Sequence, residues 1–125
     1  MSDKIRFNIL QYAGTPTPYN AGSYVFKKGD PGECLYVVTH GEVEILVNGQ
    51  VVQQLGDGEL FGEMALIDGE TRSADAVAVK DSEIMEIDET RFKYMTQNNP
   101  DFALDILRVI TSRLRERIRD LEKLG

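Results

Sequence analysis

Two short stretches decide how this sequence folds and what it binds: Phe61-Gly62-Glu63-Met64-Ala65-Leu66 and Thr71-Arg72-Ser73-Ala74. Gly62 has no Cβ and lets the backbone approach a ligand closely. Residues 63–66 can form one helical turn whose free N–H groups would point at an anion. Arg72 carries a planar fork for two phosphate oxygens, and an ionised Glu63 accepts hydrogen bonds from sugar hydroxyls. Because an enclosed acid beside an enclosed arginine is costly unless both are satisfied, the pattern predicts a small ligand with one phosphate and one sugar.

A second stretch, residues 25–45, combines turn glycines with aromatic and aliphatic positions: VFKKGDPGECLYVVTHGEVEI. In order and spacing, the two stretches resemble the cyclic nucleotide-binding domain family, which includes the catabolite activator protein, protein kinase A regulatory subunits and cyclic-nucleotide-gated channels. Residues 61–74 resemble the family's phosphate-binding cassette, and residues 25–45 resemble its first β-roll segment. The resemblance covers roughly residues 20 to 120, which is nearly the whole chain.

The resemblance implies an α+β fold: a β-roll (a jelly-roll-like double-stranded β-helix) with a short phosphate-cassette helix and C-terminal helices. Local patterns agree, since Asn48-Gly49 between apolar runs predicts a two-residue hairpin. We expect the β-roll over residues 22–88 and hinge and lid helices over 89–124, with Asn99 as an N-cap and Pro100 at the first helical position of the last helix. Residues 21–125 then form one domain. Residues 1–20 form a lead-in, helical or extended, that loses regular structure at its prolines.

The resemblance also implies a set of ligand-binding residues. From the cassette come Phe61, Gly62, Glu63, Met64, Ala65, Arg72 and Ser73. Ile45 and Val52 are expected on an apolar wall that faces the ribose and base, or simply in the core. Arg117, beside Ile118 on the last helix, is expected to cover the base as part of a lid, or to be a solvated surface arginine. Because a threonine at the position of Ser73 tends to favour cGMP in the family, the serine favours cAMP over cGMP. Asp75 places an extra negative charge near the phosphate end.

Composition excludes several other classes of protein. The chain has 125 residues and a net charge of −7, which suits one domain and argues against a nucleic-acid surface. It contains no apolar run near the ~20 residues of a membrane span. The single cysteine, Cys34, suits a reducing cytoplasm. With one histidine, His40, and no catalytic triad or paired carboxylates, we predict no metal, no catalytic residues and no enzyme activity.

The sequence therefore predicts a stand-alone cytoplasmic sensor of cAMP or cGMP that moves its C-terminal helix to signal to an unknown protein partner. Because the chain ends just past that helix, we expect the output to come from such a partner, from dimerisation, or from a longer protein that contains this chain. Leu107, Leu114 and Leu121 recur every seven residues, which allows a homodimer through this helix or packing on its own β-roll. The alternative function is a constitutive interaction or dimerisation module with an idle nucleotide pocket.

Overall fold

Two four-stranded antiparallel sheets form the body of the protein in a computed structural model, which describes residues 4, 5 and 13–124. The strands are β1 Thr17–Tyr19, β2 Tyr24–Phe26, β3 Cys34–His40, β4 Val43–Val47, β5 Gln50–Leu55, β6 Leu60–Phe61, β7 Asp75–Ala78 and β8 Ser82–Asp88. One sheet has the order β1-β8-β3-β6 and the other β2-β7-β4-β5. With α1 Glu63–Asp68, α2 Glu89–Asn98 and α3 Pro100–Leu124, this architecture confirms the predicted β-roll with a cassette helix and C-terminal helices.

Strand β3 separates two hydrophobic cores because its side chains alternate between the two faces of the sheet. Leu35 and Val37 belong to a core shared with α2 and α3, which includes Phe102, Ile106 and Val109. Tyr36 and Val38 belong to a second core, shared with the other sheet. An apolar strand that is buried on both faces explains the continuous run of hydrophobic residues at 35–38.

The C-terminal helices begin at Glu89 and at Pro100, and the start at Pro100 is the one that the sequence predicted for the last helix. The side chain of Asp88 accepts a hydrogen bond from the backbone N–H of Arg91 at 2.8 Å and caps α2. Asn99 separates α2 from α3, and Pro100 is the first residue of α3.

Helix α3 buries one face and exposes another. Phe102, Ile106 and Val109 are spaced by four and three residues and are buried against the sheet. The heptad leucines Leu107, Leu114 and Leu121 are 59–68% exposed, so they do not pack on the β-roll of their own chain. The observed position of α3 therefore does not use these three leucines for intramolecular packing.

The Asn48-Gly49 hairpin is confirmed, whereas the start of the β-region differs from the prediction. Both hairpin residues have positive φ, 51° and 78°, as a tight two-residue loop between β4 and β5 requires. Strand β1 contains Pro18 and begins inside the stretch that we expected to lack regular structure. Proline is tolerated there because β1 lies at the edge of its sheet, where a missing N–H costs no ladder bond on the outer side.

Half of the expected N-terminal lead-in, residues 1–3 and 6–12, lies outside the described residues. Of this segment, Lys4 forms a bridge with Glu59, and the Ile5 amide donates to the carbonyl of Gly58 at 2.8 Å. The described part of the chain contains no helix that is long and apolar enough to cross a membrane.

Candidate functional site

The backbone of Arg72 is fixed by the loop between β2 and β3. Its N–H donates to the carbonyl of Asp30 at 2.9 Å, and its carbonyl accepts from Gly29 at 2.8 Å. The same loop is tied to the start of β7, because the carboxylate of Asp75 accepts from the amide of Lys28 at 2.8 Å. Asp75 thus holds the loop beside Arg72, a local role that sequence alone did not indicate.

The side chain of Arg72 is 4% exposed and lies inside the protein. One terminal nitrogen, Nη1, donates to the carbonyl of Gly62 at 2.6 Å, and Nη2 donates to the carbonyl of Cys34. The third donor, Nε, is buried without a hydrogen-bond partner. A buried N–H without an acceptor costs about 1–3 kcal/mol, so the guanidinium has an unmet demand for one more acceptor.

Two aromatic rings contact this guanidinium, and a third ring packs on both of them. Its Cζ atom lies 4.2 Å from the ring centroid of Phe26 and 5.5 Å from that of Tyr36. Phe61 stacks on Tyr36, with their ring centroids 5.1 Å apart. We call Phe26, Tyr36 and Phe61 the aromatic cluster.

The charge of Arg72 has no counter-charge among the described residues, and its two terminal nitrogens donate to backbone carbonyl oxygens. Burial is the main cause that raises the pKa of the Tyr36 phenol and of the Cys34 thiol, although Arg72 itself lowers both. Both groups are therefore neutral near pH 7, and neither supplies an anion. A buried cation without a partner is costly and attracts an anionic ligand.

Gly62 is required at the junction between β6 and α1. Its φ is +74°, in the left-handed region, and it precedes the first helical residue, Glu63. A Cβ at this position would lie 2.9 Å from Nη1 of Arg72 and 3.1 Å from the ring of Tyr36. Close approach and backbone conformation together make any side chain here unfavourable.

We expect Gly62→Ala to lower the free energy of unfolding by about 2–4 kcal/mol. Two costs combine, because alanine is unfavourable at a positive φ and its Cβ would also clash with Arg72 and Tyr36. Gly69→Ala is the matched control: its φ is +75°, but no atom lies within 4 Å of the Cβ position. The control should cost only about 1–2 kcal/mol. Urea denaturation of both variants measures the difference, and equal losses would contradict a close approach at Gly62.

Glu63 forms an ion pair with a residue that the sequence did not single out. Its carboxylate is buried and lies 2.8 Å from Nη1 of Arg113 on α3, whose side chain is 18% exposed. Nη2 of Arg113 also donates to the carbonyl of Leu60, and its Nε is a second buried donor without a partner. We had expected Glu63 and Arg72 to need a ligand to satisfy them, whereas Glu63 already has a partner within the chain. No local pattern marks Arg113, because it follows Glu63 by 50 residues.

The remaining predicted site residues differ in how exposed their side chains are. Ala65 is buried on α1, while Met64 and Ser73 are exposed. Ile45 packs against the second core, and Val52 is 50% exposed. Val52 is the extra residue of a β-bulge, since Gln53 pairs with Ile45 and Val51 pairs with Leu46.

On α3, Arg113 reaches the cassette, whereas Arg117 lies four residues further on and is exposed. The structure therefore brings Arg72, Gly62 and Phe61 together, and it brings Glu63 to α3. It leaves the side chains expected to face the base more open to solvent.

A cavity of about 350 Å³ lies beside α1, away from Arg72. It is lined by Gly32, Glu33, Ala65, Leu66, Gly69, Asp88, Glu89 and Thr90. Its charged lining is entirely acidic, which does not suit a phosphate. Within the described residues, no cluster of three or more His, Cys, Asp or Glu side chains could hold a metal ion.

Comparison with known proteins identifies the family. Residues 16–99 match the family model described as the cyclic nucleotide-binding domain. The chain is 37% identical over 112 residues to the cyclic AMP receptor protein of Thermus thermophilus, a match that covers 86% of this chain and 52% of the receptor. The chain therefore belongs to the cyclic nucleotide-binding domain family, and it spans about half the length of that relative.

Solved structures agree with this assignment. The crystal structure of the Thermus thermophilus catabolite activator protein matches with a TM-score of 0.81 and 35% identity, over 94% of this chain and 57% of that one. A structure from work on a cyclic-GMP-dependent signalling pathway in bacterial phytopathogenesis matches with a TM-score of 0.78 and 26% identity. That match covers 92% of this chain and 98% of the other. The chain is thus a regulatory domain of the cyclic nucleotide-binding type.

Proposed function

We propose that this domain is a sensor that binds the cyclic phosphate of a cyclic nucleotide through Arg72. One observation supports this most strongly: the guanidinium is buried, has no carboxylate partner among the described residues and keeps an unpartnered Nε. A phosphate would supply both the missing charge and the missing acceptor. The backbone of residues 62–65 and the exposed hydroxyl of Ser73 complete the phosphate site.

Glu63 binds the ribose in this proposal. Its carboxylate accepts hydrogen bonds from sugar hydroxyls while it faces Arg113, whose Nε also lacks a partner. A ribose that enters here changes the contact between the cassette and α3. A ligand shifts a conformational equilibrium only through its different affinities for the two states, and this contact is where such a difference arises.

The base lies against Ile45 and Val52 and is covered by Arg117 when α3 moves. We retain cAMP as the preferred ligand because Ser73 does not offer the threonine associated with cGMP. The Thermus thermophilus relative is a cyclic AMP receptor protein, which supports the same preference. The similar structure from a cyclic-GMP-dependent pathway keeps cGMP as the ligand to test beside it.

We infer a regulatory role in the cytoplasm, without enzyme activity of its own. The output passes through α3, whose exposed leucines at 107, 114 and 121 lie on one face. That face suits an unidentified protein partner or a second copy of the chain in a homodimer.

A second candidate function is an interaction or dimerisation module with an idle pocket. It is favoured by one observation: Glu63 is already paired by Arg113, and two of the Arg72 donors are already paired by backbone carbonyls. Such a module would associate through α3 with no response to nucleotide.

Isothermal titration of nucleotide-stripped protein with cAMP and with cGMP tests the proposal. We expect one-to-one binding at micromolar Kd or tighter, which corresponds to about −8 kcal/mol, with cAMP the tighter ligand. Circular dichroism confirms that the stripped sample is folded. Absence of heat with both nucleotides on a folded sample would favour the interaction module.

A further inference from the structure

Phe26 is the aromatic residue closest to the charge of Arg72. The Cζ atom of Arg72 lies 4.2 Å from the ring centroid of Phe26, within the ~6 Å range of cation–π contacts. Tyr36 is more distant, at 5.5 Å. Both partners are shielded from water, since Arg72 and Phe26 are buried, and desolvation strengthens a cation–π contact.

The ring of Phe26 is itself fixed in place. Its centroid lies 5.7 Å from that of Tyr36 and 6.1 Å from that of Phe61, so it is held within the aromatic cluster. Its backbone is held as well, because Phe26 pairs with Ala76 of β7. A ring held in this way offers a rigid surface to a flexible side chain.

The hydrogen bonds of Arg72 fix only part of its guanidinium. They hold Nη1 and Nη2 through Gly62 and Cys34, whereas Nε has no partner. Contact with the Phe26 ring restrains the guanidinium plane where hydrogen bonds do not. Ordering a long side chain before the ligand arrives reduces the entropic cost of binding.

We infer that Phe26 is a positioning residue: its ring holds the Arg72 guanidinium ready for the anionic group of the ligand. This inference rests on the proposed binding of a cyclic phosphate by Arg72. It assigns Phe26 a role beyond core packing. Core packing alone could be fulfilled by any apolar side chain of similar size.

Replacing Phe26 with pentafluorophenylalanine tests the inference, because fluorination nearly preserves the ring's shape but reverses the charge distribution over its face. We expect the affinity for cAMP to fall about twofold to tenfold, which is the cost of ordering one long side chain on binding instead of before it. Phe26→Tyr keeps an electron-rich ring and should restore most of the affinity. Ile84→Val removes a methyl group from the same core without touching Arg72, and should bind as the unmodified protein does.

A second measurement needs no nucleotide. The side-chain Nε–H signal of Arg72 in the ligand-free protein should be displaced by the ring current of Phe26. In Phe26→Leu this signal should move towards the value of a free arginine and exchange faster with water. An unchanged signal in Phe26→Leu, or unchanged affinity in the fluorinated protein, would overturn the inference.

The two measurements separate this inference from the proposed function. If the unmodified protein binds neither cAMP nor cGMP, the proposed function fails, and the role of Phe26 in ligand binding fails with it. The NMR signal then still reports whether the ring holds the guanidinium. If the unmodified protein binds and the fluorinated protein binds equally well, only the role of Phe26 is wrong.

Discussion

Replacing Arg72 with alanine is expected to weaken nucleotide binding by at least about 30-fold and to leave the fold intact. Removing one partner of a buried, hydrogen-bonded charge pair costs about 2–5 kcal/mol of binding free energy, and 1.4 kcal/mol is tenfold in affinity. Among the described residues, the Arg72 guanidinium is a buried cation without a carboxylate partner. We therefore expect no neighbouring side chain to supply its charge to the ligand in the variant. Isothermal titration of the variant measures the loss.

The stability of the Arg72→Ala variant should change little, within about 2 kcal/mol, because two large terms oppose each other. The variant loses the contact with the Phe26 ring and the charged hydrogen bonds to Gly62 and Cys34, each of which contributes about 1.5–3 kcal/mol. It also removes a buried cation without a counter-charge, which relieves a desolvation cost of several kcal/mol. A binding loss with near-normal stability therefore reports on the ligand and not on unfolding.

Arg119→Ala provides the control for this experiment. Arg119 has the same charge, lies exposed on α3 and is not expected to contact the ligand. Its removal should change neither affinity nor stability by a measurable amount. If Arg72→Ala binds nucleotide as tightly as Arg119→Ala does, the proposed phosphate site is wrong. Sedimentation of both variants adds a second test, since an interaction module would associate equally well with or without Arg72.

Local chemistry explains why the sequence predicted much of this fold. The Asn48-Gly49 turn and the start of α3 at Pro100 each depend on residues within a few positions of one another. The cassette is of the same kind, since the positive φ of Gly62 and the short helix after it follow from adjacent residues. These features could be predicted because their causes lie close together in the chain.

The contacts that define the site depend on residues far apart in the chain. The carbonyl of Cys34 that accepts from Arg72 lies 38 residues away, and Arg113 follows Glu63 by 50. The sequence identifies Phe26 as an apolar residue before a turn, but only the folded chain places Arg72 on its ring. Family resemblance predicted the cassette residues as the candidate site, whereas the partners that hold them became visible only in the structure.

The ion pair between Glu63 and Arg113 should contribute to stability as a coupled unit. Removing one partner of a buried ion pair leaves the other charge uncompensated and costs about 3–5 kcal/mol. Because the Arg113 side chain is 18% exposed, we expect Glu63→Gln to lower the free energy of unfolding by about 3 kcal/mol, at the low end of this range. Arg113→Met should cost the same or more, because it also leaves the carbonyl of Leu60 without its donor. The double variant should be less destabilised than the sum of the two, with a coupling energy of about 1–3 kcal/mol. Urea denaturation of the four proteins gives this cycle.

The pair Glu89 and Lys93 on α2 is the matched control, with an N–O distance of 3.3 Å and both side chains 70% exposed. Exposed pairs at this helical spacing contribute about 0.5 kcal/mol or less, so its cycle should show almost no coupling. If the Glu63–Arg113 cycle were equally additive, the pair of Glu63 and Arg113 would not link the cassette to α3.

If the Glu63–Arg113 cycle shows coupling, Glu63→Gln should also speed amide hydrogen exchange along α3 without ligand. The reason is that losing the ion pair releases the helix that we propose carries the signal. A ligand whose ribose competes for Glu63 would act on α3 through this same contact.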